Sequence, residues 1–260
     1  MLPRPPATVE EFDDLLASGG ELELAAVRDL ILDFESHSRE MVSRAINWID
    51  NLEGPGVESA LCRLMESADK GLRPWALSGL IYLKSDRIFA YLNTSLESED
   101  RFEVVSAISA VGALRVADYV PKLKQLLRTA GADDWIQETI SEALLEIGGQ
   151  ASMQVLVDEA ESRAGTNMRL SFVVNALSQF GTEAEPILRQ WSSSTTPDLR
   201  YWAARGLGSG GFSSAREILE SLSEDEERTS FGPLVRTGAK KGLKLLDRHS
   251  QTGLGTWDDA

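Results

Sequence analysis

The sequence contains little cysteine, little histidine and no long apolar run, and each shortage excludes a class of protein. One cysteine, Cys62, among 260 residues excludes a disulfide framework and a thiolate-based zinc site. Two histidines, His37 and His249, are too few for most metal or acid–base sites. No run approaches the ~18 consecutive apolar residues of a membrane-spanning helix, and the start lacks a signal-peptide core. The sequence therefore predicts a cytoplasmic protein without a membrane span.

Positive charge is also scarce. The chain has 41 acidic and 26 basic residues, so its formal net charge is −15. Such a charge repels a phosphate backbone, which makes a nucleic-acid partner an unfavourable interpretation. Acidic residues are concentrated in 1–70 and 131–196, whereas 71–130 has a small excess of basic residues. The charge indicates either an acidic surface that attracts a basic protein or acids that only keep the surface soluble.

A pattern anchored on alanine recurs roughly every 30 residues. Four copies end in glycine, at 107–112, 143–148, 176–181 and 203–208, and weaker copies begin at Ala45, Ala76 and Ala239. Apolar residues at i, i+1 and i+4 form one helical stripe, while the small alanine lets a neighbouring helix approach closely. The glycine is expected to end the helix in a left-handed conformation, before a turn and a second amphipathic run. The pattern predicts an all-α superhelix, or solenoid, of about seven helical hairpins with no sheet.

One segment carries a resemblance to a known family. Residues 198–208, DLRYWAARGLG, are similar to the signature of HEAT-like repeats of the phycobilisome-lyase type, in which Arg, aromatics and Ala-Ala precede Leu-Gly. The resemblance covers roughly residues 39–248. It implies the HEAT fold and leaves the activity open, because scaffolds, lyases, glycosylases and inhibitors all use such repeats. We expect 1–38 to form an N-terminal helical cap, 39–248 the repeat array, and 249–260 a flexible tail.

No residue pattern predicts an active site. Residues 206–211 match G-x-G-x-x-G, but an alanine-rich helix that includes Gly206 precedes them instead of a strand, so we interpret the segment as an inter-helix turn. Cys62 lies in a helical run and is expected to be a buried apolar residue, and both histidines are expected at the surface. We therefore predict no catalytic residue, no cofactor and no metal ligand.

For the tryptophans and the charged clusters, we prefer a structural role to a functional one. Five tryptophans lie inside repeats and are expected to fill the core, although an exposed one would be a binding anchor. These are Trp48, Trp75, Trp135, Trp191 and Trp202. The basic row of Arg236, Lys240 and Lys244 predicts a solvated face on the last helix, and 223–227 predicts an exposed acidic loop.

The second helix of each HEAT unit usually lines the concave side, where partners bind. Taking Val120, Met153, Glu185 and Ala215 as equivalent starting positions identifies the outward residues of these helices. The predicted partner-binding residues are Tyr91, Thr94, Lys122, Gln125, Asp158, Gln190, Glu217 and Glu220. This mixed, acid-leaning ridge suits a protein surface better than a small-molecule cavity.

Three functions remain open from the sequence. The first is a non-enzymatic scaffold that binds another protein, with a basic surface, on its concave face. Its most concrete form is a bacterial immunity or antitoxin-type inhibitor of a basic toxin domain. The resemblance implies a second, a bilin lyase or chaperone-like protein. The third, a HEAT-like DNA glycosylase, requires a basic concave face, which the net charge disfavours.

Overall fold

The computed structural model describes residues 6, 8–18, 21–48, 53–131, 133–166 and 170–252. Within these ranges the chain is helical and has no strand, and one isolated antiparallel bridge joins Arg228 to Leu234. The prediction of an all-α fold is confirmed for the described residues. Contacts divide the chain into two compact units, which meet in sequence at Leu114 and Arg115. The cap, array and tail expected from the sequence stay a prediction.

The first unit contains seven α-helices in its described part. In chain order they are α1 Val9–Ser18, α2 Glu21–Leu32, α3 Arg39–Asn47, α4 Val57–Glu66, α5 Arg73–Tyr82, α6 Phe89–Leu96 and α7 Arg101–Ala113. Short 3-10 turns precede α3, α5 and α6 at Phe34–Ser36, Lys70–Leu72 and Asp86–Ile88. The expected cap, 1–38, thus comprises α1, α2 and the first of these turns.

The second unit contains eight α-helices in the part that the structure describes. They are α8 Val120–Thr129, α9 Asp134–Ile147, α10 Gly149–Arg163, α11 Ser171–Ser178, α12 Glu185–Ser192, α13 Pro197–Ser209, α14 Arg216–Leu222 and α15 Val235–Thr252. Helix α15 continues through His249 into the segment expected to be a flexible tail, and 253–260 lie outside the described residues. The starting positions chosen for the second helices fit α8 and α12, whereas Met153 lies well inside α10.

The repeated alanines are the packing positions of the odd-numbered helices from α3 to α15. All seven are buried, at 0–3% exposure: Ala45, Ala76, Ala107, Ala143, Ala176, Ala203 and Ala239. The even-numbered helices α4 to α14 lie between them in sequence and are the second helices of the repeats. Helix α15 is a first helix for which no second helix is described. The predicted alanine-anchored hairpins are therefore present in both units.

Side-chain caps begin several helices where the sequence has Asp or Thr. Asp100 Oδ1 accepts hydrogen bonds from Phe102 N (2.8 Å) and Glu103 N (3.3 Å) at the start of α7. Asp133 Oδ1 accepts one from Ile136 N at 3.1 Å at the start of α9. At α1, Glu11 N donates to Thr8 Oγ1 over 3.1 Å. These bonds satisfy backbone donors that a helix leaves without an intrahelical partner.

Five first helices are followed by a residue in the left-handed conformation, but the repeat glycines supply only part of them. Gly148 and Gly181, with φ of 72° and 62°, behave as predicted. Gly112 lies inside α7, and the left-handed position there is Arg115, with φ of 53°. After α5 the position is Lys84 (φ 51°), and after α13 it is Gly211 (φ 69°). The prediction that glycine ends the helix is thus wrong at 112 and 208.

The interpretation of residues 206–211 as an inter-helix turn is wrong at 207–209, whereas Gly206 lies inside the preceding helix as expected. Gly206 and Gly208 lie within α13, where both are buried, and the turn begins only at Gly210. A Cβ on Gly208 would overlap the backbone of Gly242 in α15, and one on Gly242 would overlap the carbonyl oxygen of Ala204. The small residues are there because α13 and α15 pack backbone against backbone.

Candidate functional site

Helix α9 in the second unit carries a row of three glutamates. Glu138, Glu142 and Glu146 recur at i, i+4 and i+8, so they share one helical face. Glu142 and Glu146 are exposed and Glu138 is half-buried, and none forms an ion pair with a described residue. Partial burial raises the pKa of the Glu142 carboxyl, and the charges of Glu138 and Glu146 raise it further. The row is therefore a negatively charged surface that forms no ion pair with a cation among the described residues.

An open cleft of about 630 Å³ lies in the first unit. It is lined by Lys70 and Arg73 from the start of α5 and its preceding turn, by Thr94 of α6, and by residues 97–100 leading into α7. Its size is within the range of ligand-binding pockets. One lining residue, Thr94, belongs to the predicted partner-binding set.

A buried carboxylate contacts two of the residues that line this cleft, Ser98 and Arg73. Glu103 of α7 is 1% exposed, and its two oxygens accept hydrogen bonds from Ser95 Oγ (2.9 Å) and Ser98 Oγ (2.7 Å). Arg73 Nη1 lies 3.8 Å from Glu103 Oε1, which is an ion-pair distance but longer than a hydrogen bond. Arg73 Nε is buried and has no hydrogen-bond partner among the described residues. The cleft wall thus contains a guanidinium with unused donors.

A second groove, of about 340 Å³, lies between two second helices of the second unit. Arg189 and Ser192 of α12 and Glu217 and Ser221 of α14 are among its lining residues. Arg189 is already engaged, because it pairs with Glu185 and donates to Ser214 Oγ at 2.7 Å. The groove includes the predicted residue Glu217 and offers mainly hydroxyl groups.

The two predicted residues of the first unit differ in exposure. Tyr91 is half-buried, and its hydroxyl donates to Glu66 Oε1 at 3.0 Å. Burial and that hydrogen bond raise the pKa of Tyr91 well above its usual range. Thr94 is exposed at the cleft. The Tyr91 hydroxyl therefore links α6 to α4, whereas the Thr94 side chain is accessible to a partner.

The six predicted residues of the second unit all lie on second helices. Gln125, Gln190, Glu217 and Glu220 are exposed, and Lys122 and Asp158 are half-buried. Asp158 accepts hydrogen bonds from Lys124 Nζ at 2.6 Å and Gln154 Nε2 at 2.8 Å. These bonds, from Lys124 first, lower the pKa of the Asp158 carboxyl. The negative charge predicted at Asp158 is therefore neutralised within the unit.

The segment that carries the HEAT resemblance has a structural role in this protein. Arg200 Nε donates to Asp225 Oδ2 at 2.7 Å, and Arg200 Nη2 lies 3.1 Å from Glu227 Oε2. Asp198 Oδ1 accepts from Ser230 N at 2.7 Å. The predicted acidic loop is exposed at several positions, as expected, yet α13 holds it through these charged groups.

Aromatic rings complete this contact. Phe231 of the loop stacks on Trp202 with ring centroids 5.5 Å apart, and it meets Tyr201 edge-on at 5.2 Å. Tyr201 and Trp202 are both buried. Loop 223–234 therefore covers the side of α13 that would otherwise be open.

The tryptophan prediction is confirmed at Trp191 and Trp202, which are buried, and is wrong at Trp75, which is 37% exposed. Trp48 and Trp135 are half-buried. Three further exposed rings escaped sequence analysis, and all lie in the first unit: Tyr82, Phe89 and Phe102. The sequence signal that could have predicted their exposure is their position at helix ends, where fewer neighbouring residues cover a side chain.

Other candidate groups have structural roles. Cys62 is buried, as predicted. His249 is not a free surface residue, because its Nε2 lies 2.7 Å from Ser209 O; His37 is half-buried. Lys240 and Lys244 of α15 are exposed, whereas Arg236 pairs with Glu226 at 2.7 Å. In the described part of the chain no cluster of three or more His, Cys, Asp or Glu could hold a metal ion.

None of the helices described is both long and apolar enough to cross a bilayer.

Comparison with known proteins gives structural likenesses only. No family model and no curated protein matches the sequence. A complex of CpcE and CpcF of phycocyanin lyase from Nostoc sp. aligns with 85% of this chain and 94% of its own, at 18% identity and a TM-score of 0.48. Human deoxyhypusine hydroxylase aligns over 90% and 99%, at 16% identity and TM-score 0.34. An engineered protein aligns over 92% and 96%, at 21% identity and TM-score 0.33.

Proposed function

We propose that this chain is a non-enzymatic scaffold that binds a protein partner with a basic surface. The observation that carries the proposal is the glutamate row Glu138, Glu142 and Glu146 on α9. Partial burial, and after it the charges of Glu138 and Glu146, raise the pKa of Glu142, and no cation among the described residues offsets this. Cationic side chains of a partner would do so, and the excess negative charge of the chain would speed their approach.

The second helices carry the concave-face contact residues of this proposal, whereas the row on α9 belongs to a first helix and is a separate contact. Gln125, Gln190, Glu217 and Glu220 are exposed, and Thr94 lines an open cleft. In the second unit, these side chains fit a protein-binding surface on the concave side of its repeats, with Lys122 and Asp158 half-buried beside them; in the first unit, Thr94 and the half-buried Tyr91 fit a separate contact. The support is their exposure combined with the mixed, acid-leaning charge.

The narrower form of the proposal is an antagonist of a toxin. In that form the partner is a basic toxin domain, and this chain is its cytoplasmic bacterial immunity protein. The same electrostatic argument supports it, because a fast-associating inhibitor benefits from a strong field of the opposite sign.

A matched pair of charge reversals tests the proposal. The full chain is used as bait in extract of its source, alongside Glu142→Lys/Glu146→Lys and the control Glu35→Lys/Glu53→Lys, which changes the net charge equally at exposed sites of the first unit. We expect wild type and control to retain a basic protein, the α9 variant to lose it, and retention to fall steeply with salt. Retention of the same protein by the α9 variant, or capture of an acidic protein alone, would contradict the proposal.

The toxin form needs its own measurement. If the captured protein is a toxin domain, this chain should suppress its toxic activity in proportion to binding. An α9 variant that no longer binds but still protects would separate the two ideas and reject the narrower one.

A further inference from the structure

Two of the seven anchor alanines directly follow a tryptophan, and these two tryptophans have different surroundings. Trp75 precedes Ala76 on α5 in the first unit, and Trp202 precedes Ala203 on α13 in the second. Because each ring lies one position before its anchor, the two hold equivalent places on first helices. Trp202 is 6% exposed, whereas Trp75 is 37% exposed. The same repeat position is therefore covered in one unit and open in the other.

The connection that follows the α13–α14 hairpin covers Trp202. Residues 223–234 lead from α14 to α15, and the ring of Phe231 stacks on Trp202 with centroids 5.5 Å apart. Thr229 N and Oγ1 both donate to Pro233 O, at 2.8 and 2.7 Å, which closes the chain into a turn that presents Phe231. Residues 229–234 carry no charged side chain. The second unit thus shows which group covers this repeat position, an aromatic ring on an uncharged turn.

The equivalent connection of the first unit is much shorter and carries no such turn. Residues 97–100 join α6 directly to α7. They line the same cleft as Arg73, and Glu103 lies 3.8 Å from this arginine. In the second unit, loop 223–234 supplies the carboxylates that pair with Arg200, which lies two residues before its tryptophan as Arg73 does. The first unit therefore provides its own negative charge, and what it lacks is the ring.

A second exposed ring extends the surface along α5. Tyr82 is 38% exposed and follows Trp75 by two helical turns, so both side chains lie on one face of the helix, about 10 Å apart along its axis. No ring of another described residue packs against Trp75. Exposed aromatic rings are typical anchors of protein interfaces, because they bury a large area at a small cost in side-chain entropy.

We propose that Trp75 and Tyr82 form a docking surface on α5 for an uncharged, phenylalanine-bearing segment of a partner protein. The phenylalanine ring of that segment stacks on Trp75, as Phe231 stacks on Trp202. An uncharged segment fits because the carboxylates beside Arg73 already belong to this unit. The inference does not rest on the proposed function, since α9 lies in the other unit and attracts cationic side chains.

Nuclear magnetic resonance of the full chain tests the site, because each of the six tryptophans gives its own indole N–H signal. The probe is an acetylated and amidated peptide with the sequence of residues 229–234, TSFGPL, and the control peptide has alanine in place of phenylalanine. Trp75→Phe and Trp202→Phe assign the two signals. We expect the probe to shift the Trp75 signal saturably and to leave the Trp202 signal unchanged, because the protein's own loop already covers that ring. The alanine peptide should shift neither.

Variants locate the contact. Trp75→Ala should weaken binding of the probe by about tenfold, measured on the backbone amide signals of α5, since the stacking partner is lost. Tyr82→Ala should weaken it several-fold, whereas Phe89→Ala, at an exposed ring on a second helix, should not change it. Glu142→Lys/Glu146→Lys should leave binding intact, which separates this test from that of the proposed function.

Three outcomes in the wild-type protein would overturn the proposal: no saturable shift of the Trp75 signal, an equal shift by the alanine peptide, or a shift of the Trp202 signal in its place. The last would mean that the probe displaces the protein's own loop. Unchanged affinity in a folded Trp75→Ala protein would also reject the site. If that variant unfolds, the wild-type indole signals decide, because their assignment needs only the conservative Trp75→Phe.

Discussion

Gly208 of α13 lies directly against the backbone of Gly242 in α15, with no room for a Cβ on Gly208. Two residues earlier, a Cβ on Gly206 would meet only side-chain ends, Leu188 Cδ2 at 2.8 Å and Val174 Cγ1 at 3.1 Å. Leucine and valine side chains can shift, whereas two packed helix backbones must separate. We therefore expect α13 to tolerate an added Cβ at Gly206 better than at Gly208.

Gly208→Ala is expected to lower the free energy of unfolding by about 3 kcal/mol, the upper range for overpacking a core. Gly206→Ala is its matched control, with a change within about 1 kcal/mol because alanine's helix propensity offsets part of the crowding. Urea unfolding of the full chain measures both. Equal losses at the two positions would contradict the close packing of α13 and α15.

Lys84 and Arg115 occupy left-handed backbone at positions where other repeats use glycine. Lys84→Gly and Arg115→Gly should each raise the free energy of unfolding by up to about 1 kcal/mol, because a Cβ costs 1–2 kcal/mol in this conformation and glycine's flexibility returns part of that. Lys241→Gly, at an exposed position inside α15, should instead lower it by about 1 kcal/mol. Thermal unfolding distinguishes them, and a loss at Lys84 would mean that its side chain has a stabilising contact.

Arg200 holds loop 223–234 on α13, so its replacement should release the loop. Arg200→Ala is expected to make the segment around Glu224 to Arg228 cleavable by a glutamate-specific protease at low enzyme concentration, while the helices stay intact. Arg236→Ala, which removes only the exposed pair with Glu226, is the control and should have a smaller effect. Equal protection of wild type and Arg200→Ala would show that Phe231 and the Asp198–Ser230 hydrogen bond anchor the loop without Arg200.

The same contact should be sensitive to acid. Burial tends to raise the pKa of Asp225, but hydrogen bonds from Arg200 and Glu227 N outweigh it, and the pKa lies below its ordinary value. A lowered folded-state pKa gives stability that is present above the unfolded value, ~3.9, and lost as the pH falls through the folded value. Loop cleavage by an acid-active protease should therefore rise below about pH 4. A pH-independent cleavage rate, after correction for protease activity, would contradict this assignment.

The effect of pH on stability has the opposite sign at Glu142. Because its pKa is raised in the folded state, its contribution to stability falls as the pH rises from the unfolded value, ~4.3, through the higher folded value. Glu142→Gln should stabilise the protein at pH 7 by about 0.5 kcal/mol, the size of two like-charge i,i+4 contacts, and not at pH 3. Glu35→Gln, at an exposed site outside the row, serves as the control. An equal gain at both pH values would exclude the burial and repulsion of an ionised Glu142 as the cause.

Local sequence was sufficient for the helices, the alanine anchors and the burial of Cys62. Each depends on contacts within one turn of helix or on a repeated packing position, which periodicity records directly. The row on α9 was also within reach, because i+4 spacing of Glu138, Glu142 and Glu146 is visible in the sequence. The eight partner-binding residues remain predictions.

Tertiary packing decided the rest. Whether a repeat glycine ends a helix, as Gly148 does, or admits a neighbouring backbone, as Gly208 does, depends on which helix lies against it. The cleft at Arg73 likewise joins residues about thirty positions apart, whose spacing carries no periodic signal. Sequence alone determined the repeated helical unit, because helix formation and apolar stripes are local. Only the tertiary structure determines which polar groups are left without hydrogen-bond partners, because that depends on contacts between helices distant in sequence.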